Sequence, residues 1–446
     1  MSFSVVILAA GKGTRMKSEK PKVLHTVGNA SMLHHVMEVA KGAGAAETVI
    51  VAGHQAELIS QSAKIKSPDA QIVIQEKQLG TGHAVKQAER LLGKSGKDIL
   101  ILYGDVPFIK SETISKLIKA RKTCDIAVLG FDAKHPGMYG RLISNGKNII
   151  EIVEAKDATR EQLNISLCNS GVILGSADLI FDLITKIGSD NASKEFYLTD
   201  CVELATKAGF KSSLVLCDER ETIGVNSLAE LAQAEELFQR EKRIEFMQKG
   251  VQLNSPETVF FSFDTEIGSG TVIEQNVVIA PAVTIEENAT IRAFSHLEGC
   301  HIFPNSTVGP YARIRPGSIV SEGANVGNFV EVKKSIVGPK SKVNHLSYIG
   351  DTKIGEKVNI GAGTITCNYD GVSKHNTDIE DGAFIGSNTM LVAPVKVGKS
   401  SVTASGSVIT KDIPDEALAF ARSRQENKIG MGTKLMNLLR KQKNKS

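Results

Sequence analysis

The stretch IGSGTVIEQNVVIAPAVTIEENATIRAFSHL, residues 267–297, sets an aliphatic side chain at every sixth position: Ile267, Ile273, Ile279, Ile285, Ile291 and Leu297. The spacing continues through Val308, Ile314, Val320, Val326 and Val332, slips by one around Ile302, Val337 and Ile354, and resumes at Ile379, Ile385, Leu391, Val397 and Thr403. A helix repeats its apolar face about every 3.6 residues and a half-buried strand about every 2, so neither accounts for this period. A hexapeptide repeat does. Three hexapeptides close one triangular coil, coils stack at ~4.8 Å, and every sixth side chain enters a continuous interior ladder. The period predicts about eight coils. TCNYDGVSKHNT, residues 366–377, offers no aliphatic in phase and is expected to leave the coil as a loop. Loops displayed from a rigid scaffold commonly carry function.

Upstream of Ser227 the pattern changes. Apolar runs such as SVVILAA, AETVIVAG, AQIVIQE, DILILYGD and CDIAVLGF alternate with helix-like segments such as SMLHHVMEVAKGAG and ETISKLIKAR. That alternation predicts an α/β domain with a mostly parallel sheet, whose ligands gather at the carboxyl ends of the strands. Between the two regions, LAELAQAEELFQREKRIEFMQKG reads as one long connecting helix closed by Gly250. The expected divisions are 1–228, a linker helix over 229–249, and 250–446 with a basic tail.

The first apolar run empties into LAAGKGTRMKSEKPKVLH, residues 8–25. A dinucleotide fingerprint requires a third glycine where Met16 stands, and the P-loop spacing has no match. Gly11 and Gly13 permit close backbone approach, while Lys12, Arg15 and Lys22 supply positive charge. Anionic phosphate suits that loop, against the alternative of an ordinary strand-to-helix turn with solvated cations. DILILYGDVPF then delivers Asp105 just past an apolar strand. Beside a phosphate loop, Asp105 is a candidate ligand for Mg²⁺, with Asn226 of GVNSL as a second; its competing role is a helix N-cap.

The net charge is +4, but the tail KLMNLLRKQKNKS holds five cations and no acid, so removing it leaves the rest at −1. A nucleic-acid partner would require basic residues clustered on a folded face, so none is expected. The six cysteines, at 124, 168, 201, 217, 300 and 367, show no paired spacing for zinc or disulfides and read as reduced thiols of a cytoplasmic protein. No apolar run reaches the ~18 residues of a membrane span, so no membrane insertion is expected.

The ordered set LAAGKGTR, PKVLH, QLGTGHA, YGDVPF, YGR, IVEAKDA, CNSG, FYLTD and GVNS, followed by the solenoid, resembles the bacterial bifunctional N-acetylglucosamine-1-phosphate uridylyltransferase and glucosamine-1-phosphate acetyltransferase family. The resemblance runs through nearly the whole chain. It implies an α/β protein: an N-terminal Rossmann-like nucleotidyltransferase domain, a long linker helix and a C-terminal left-handed parallel β-helix. It implies that Leu8, Ala9, Ala10 and Gly11 present backbone to the nucleotide, that Arg15 and Lys22 neutralise the triphosphate, and that Gln75, Gly80 and Thr81 select uracil. Tyr103, Gly104, Gly140, Glu154 and Asn169 would hold sugar and ribose, and Asp105 and Asn226 the Mg²⁺. One departure is local: PGMYGR places Met138 where the family usually has glycine, which shifts the expected left-handed residue to Gly137.

The solenoid carries ARIRPG, NFVEVKKS, NHLSYIGD, VNIGAGTITCNYDG and IGSNT, a polar set that a purely structural ladder does not require. His345 is the expected general base, since imidazole can accept a proton near neutral pH. The resemblance further implies Arg315 and Lys333 on the phosphate of glucosamine 1-phosphate, and Tyr348, Asn359 and Lys374 around its sugar. Acetyl-CoA would lie along Ala362, Asn368, Tyr369, Ser387, Ser405 and Arg422, in a homotrimer with sites between subunits. The expected products are N-acetylglucosamine 1-phosphate, then, with UTP, UDP-N-acetylglucosamine. Two other readings stay open: a single-function sugar-1-phosphate nucleotidylyltransferase with a structural or regulatory solenoid, and an inactive assembly subunit.

Overall fold

The computed structural model describes residues 2–444; Met1 and the tail residues Lys445 and Ser446 lie outside the described residues. The chain forms two compact units divided between Arg240 and Glu241.

The first unit is built on one nine-stranded sheet in the spatial order Gln71–Ile74, Glu47–Ala52, Phe3–Ala9, Asp98–Tyr103, Leu167–Ser176, Ile126–Asp132, Ser212–Leu216, Asn148–Val153, Arg141–Asn145. Period-two alternation sends Val5 and Ile7 into a core shared with the helices Met32–Gly42 and Ser111–Ala120. Val6 and Leu8 enter another, shared with Ala177–Ile184 and Asp200–Lys207. Helices therefore cover both faces.

Seven of the nine strands run in one direction, as expected, and two run against them. Leu167–Ser176 runs antiparallel to both of its long neighbours, and Arg141–Asn145 pairs with Asn148–Val153 as a hairpin. Gly146, at φ 61°, supplies the left-handed residue that so short a connection demands. Phe3–Ala9 and Asp98–Tyr103 remain parallel, with Leu8 opposite Tyr103, so the glycine loop and Asp105 emerge side by side.

The long helix runs Leu228–Gln248. Gly250, at φ 86°, ends it: its N–H donates to the Met247 carbonyl, and the Val251 N–H to that of Phe246. Phe246 and Val251 are both buried beneath this turn, the apolar contact that accompanies a Schellman stop.

Three all-parallel sheets of ten, eight and eight strands form the body of the second unit, a parallel β-helix. Ile273, Ile291, Val308, Val326, Val343, Ile360 and Ile385 stack down one sheet, all buried. The slip in the sequence period is a shortened coil, for Ile285 pairs with Ile302 whereas Ile267 pairs with Ile285. At the 366–377 interruption Thr366 fills the interior position, and the chain leaves the coil after Asn368. One corner repeats a left-handed, non-glycine residue: Phe294, Tyr311, Phe329 and Leu346, at φ 60°, 55°, 55° and 50°. The rings of the first two stack at 4.8 Å, and those of Tyr311 and Phe329 at 5.2 Å. The basic tail ends in an exposed helix, Met431–Lys443.

Candidate active sites

In the first unit, Leu8, Ala9, Ala10, Gly11, Lys22, Gln75, Gly80, Thr81, Tyr103 and Asp105 line a cavity of about 280 Å³ at the strand ends. Thr81 and Tyr103 continue into a second, of about 360 Å³, whose wall includes Gly140, Glu154 and Asn169. Gln75 is buried and locked, its Nε2 donating to the Gly80 carbonyl at 3.1 Å and lying 3.0 Å from His83 Nδ1. Gly140 sits where an added Cβ would stand 3.5 Å from the Glu154 carboxylate.

Lys22 forms an ion pair with Asp105 and donates to Asn226 Oδ1 at 3.0 Å. Two oxygens from distant parts of the chain thus converge on one positive charge. Glu154 is mostly buried, which raises its pKa despite a 3.1 Å hydrogen bond from Thr199 Oγ1. Burial also pushes Asp200 up to about 6, with Glu203, Glu154 and Asp157 adding repulsion. The Tyr103 phenol is raised by burial, then by Glu154 and Asp105.

Two expected residues stand apart. Arg15 is exposed on the short turn Thr14–Met16 and lines neither cavity. Gly104 is buried behind the wall, its N–H donating 2.9 Å to the Leu8 carbonyl. Gly137 adopts φ 45°, and Met138, 71% exposed, faces the second cavity. Gln78, Glu195, Lys156, Tyr197 and Thr199 line the cavities and were missed as individual residues. The last two lie within FYLTD, where the motif itself was the available signal.

In the second unit, His345 is exposed at the end of the strand Lys342–His345, and its Nδ1 lies 2.9 Å from Asn328 Oδ1. Arg315, Lys333 and Lys374 gather into a cation cluster: Lys374, then Arg315, depress the Lys333 ammonium, and Arg315 Nη1 reaches Glu331 at 2.7 Å. Like charges held together in this way suit an anion. Tyr348 pairs in register with Glu331, and Asn359 lies on the strand beside that of His345. Asn368 is buried and bonded to the Asp351 carboxylate; Tyr369 is exposed, its hydroxyl donating to Gly371. Ala362, Ser387, Ser405 and Arg422 follow one another from coil to coil. The Ala362 carbonyl accepts from Asn388 N–H, the Ser387 carbonyl from Gly406 N–H, and Gly406 packs beneath the Arg422 stem. Asn328 and Asp351, which hold His345 and Asn368, were missed as individual residues, though they lie within NFVEVKKS and NHLSYIGD.

Residues 5–164 match the MobA-like NTP transferase domain family, and residues 264–299 the bacterial transferase hexapeptide family (six repeats). A "Bifunctional protein GlmU" of Ruegeria sp. (strain TM1040) is 53% identical over 99% of this chain and 99% of its own. One of Roseobacter denitrificans is 53% identical over 100% and 99%, and one of Jannaschia sp. (strain CCS1) 50% over 97% and 95%.

Proposed function

The chain belongs to the bifunctional GlmU family, and from that membership we propose how its residues divide the two reactions that make UDP-N-acetylglucosamine. The solenoid unit transfers acetyl from acetyl-CoA to glucosamine 1-phosphate. The nucleotidyltransferase unit then transfers uridylyl from UTP to N-acetylglucosamine 1-phosphate, releasing pyrophosphate.

For uridylyl transfer, Leu8 to Gly11 with Gln75, Gly80 and Thr81 take the nucleotide, and Tyr103, Gly140, Glu154 and Asn169 the sugar. A sugar-phosphate oxygen attacks the α-phosphorus, forming a P–O bond as the bond to pyrophosphate breaks. That oxygen is already anionic, so alignment and charge dispersal suffice and no general base is assigned. Lys22 supplies positive charge from within the cavity; Arg15, exposed on the neighbouring turn outside it, is the second cation assigned to the triphosphate. Asp105 and Asn226 fit Mg²⁺, since both present hard oxygens and already converge on a cation, the Lys22 ammonium. When bound, the ion would offset charge on the triphosphate.

For acetyl transfer, Arg315 and Lys333 hold the sugar phosphate, with Tyr348, Asn359 and Lys374 beside it. His345 takes a proton as the amine attacks the thioester; the N–C bond forms, the C–S bond breaks, and the proton passes to the departing thiolate. Asn368, Tyr369, Ala362, Ser387, Ser405 and Arg422 receive acetyl-CoA. We place the protein in the cytoplasm as a left-handed homotrimeric β-helix enzyme; no helix among the described residues is long and apolar enough to cross a membrane.

The observation that carries this division is that the cavity holding Lys22 and Asp105 and the cation cluster with its histidine lie in different compact units. Purified protein is given glucosamine 1-phosphate, acetyl-CoA, UTP and Mg²⁺. His345→Ala should abolish CoA release and spare uridylyl transfer from supplied N-acetylglucosamine 1-phosphate; Asp105→Ala should do the reverse. Loss of both reactions in either folded variant would refute two independent sites.

A further inference from the structure

Asn328 and His345 face each other across one rung of the β-helix: the strands Asn325–Asn328 and Lys342–His345 are parallel neighbours with Asn328 and His345 in register. Each is the last residue before the left-handed corner, Phe329 at φ 55° and Leu346 at φ 50°, so both strands stop at the same level. Gly327 makes the approach possible, because a Cβ there would lie 2.1 Å from the Asn344 carbonyl oxygen. The His345 backbone is held from its other side as well: its carbonyl accepts from Ser347 Oγ at 2.9 Å and from the Gly363 N–H at 3.2 Å.

The imidazole Nδ1 lies 2.9 Å from the Asn328 amide oxygen. An amide oxygen only accepts, so the proton in this pair belongs to Nδ1, and the lone pair of the neutral ring stands on Nε2. We propose that Asn328 is a positioning residue for acetyl transfer, fixing His345 in the Nδ1–H tautomer with Nε2 free to take the amine proton. This rests on His345 being the general base. The two strands paired with that of His345, Asn325–Asn328 and Asn359–Ile360, carry no titratable side chain, and Lys342 is the ionisable group on its own strand besides His345. The oxygen of Asn328 orients the ring without adding charge. A carboxylate in the same place would hold the ring equally well and would also stabilise the imidazolium, raising the pH at which the base becomes available.

The test is the pH dependence of CoA release by the full-length enzyme, with far-ultraviolet circular dichroism in urea as the control for folding of the coils and uridylyl transfer in the same preparations as the control for the other unit. Asn328→Ala should lower kcat for acetyl transfer about tenfold or more, with KM for glucosamine 1-phosphate changed less than about twofold. Asn328→Asp should recover much of that loss at high pH and move the acidic limb of the profile upward by about one unit. An upward shift in the aspartate variant together with a kcat loss in the alanine variant supports the assignment. A raised KM with unchanged kcat, or a profile in Asn328→Asp identical to that of the unaltered enzyme, overturns it. Should Asn328→Ala lose uridylyl transfer too, the near-isosteric aspartate variant decides alone. His345→Ala distinguishes the two levels: undiminished CoA release there refutes the base itself, whereas loss of release there with an unmoved Asn328→Asp profile refutes only the positioning role.

Discussion

Replacing Arg141 by methionine should loosen the wall of the second cavity of the nucleotidyltransferase unit while leaving the solenoid untouched. Arg141 is 2% exposed, and among the described residues its guanidinium bonds to backbone carbonyls: Gly137 at 3.0 Å, Leu163 at 3.3 Å, Pro136 at 3.5 Å and Tyr139. Three of those carbonyls belong to the loop that carries Met138, Tyr139 and Gly140 into the second cavity. Methionine fills similar space but donates nothing. A hydrogen bond to a charged group contributes about 1.5–3 kcal/mol. The loop is open to water at Met138, so about half of the four carbonyls can be rehydrated, and a net loss of about 3–6 kcal/mol follows. The Gly140 carbonyl also accepts from the Asn169 N–H at 2.8 Å, so displacement reaches both of the residues proposed to hold the sugar. The chain has no tryptophan; unfolding is therefore followed by far-ultraviolet circular dichroism and by hydrogen exchange of residues 126–176 in urea. KM for N-acetylglucosamine 1-phosphate should rise at least about tenfold, with acetyl transfer unchanged. An unaltered urea midpoint and KM would show that the guanidinium does not brace the loop.

Three further outcomes follow from the geometry. Burial raises Asp200 from 3.8 to about 6, so the folded state binds more protons than the unfolded one between those values, and stability falls as pH rises through that window. Asp200→Asn should therefore raise the thermal midpoint at pH 8 and leave it unchanged near pH 3; an equal shift at both refutes a charge effect. Gly171 holds φ 86° with an added Cβ only 2.6 Å from the Tyr103 ring, so Gly171→Ala should displace that ring, cutting uridylyl transfer about tenfold or more and sparing CoA release. Lys333→Met removes a member of the cation cluster, so KM for glucosamine 1-phosphate should rise about tenfold, with KM for acetyl-CoA unmoved; a change confined to acetyl-CoA would place the anion site elsewhere.

Sequence alone determined what is periodic or local. The sixfold spacing specified the β-helix because an interior ladder demands one apolar side chain per prism face, whatever lies elsewhere in the chain. Gly250 stopped the long helix, and Gly137 took the left-handed conformation that Met138 would resist, both through neighbours in sequence. The ordered motifs likewise marked most of the two candidate sites. Tertiary structure alone decided register and convergence. Nothing local shows that Leu167–Ser176 enters the sheet antiparallel, because an apolar strand buried on both faces reads the same in either direction. Nothing local joins Lys22 to Asn226, or Thr199 to Glu154, since these contacts depend on which strand ends the topology places together. Asn328 meets His345 only because the intervening coil is one residue short of three full hexapeptides and Gly327 lets adjacent coils close. Side-chain periodicity is a property of the chain, whereas the distance between two remote polar atoms is a property of packing.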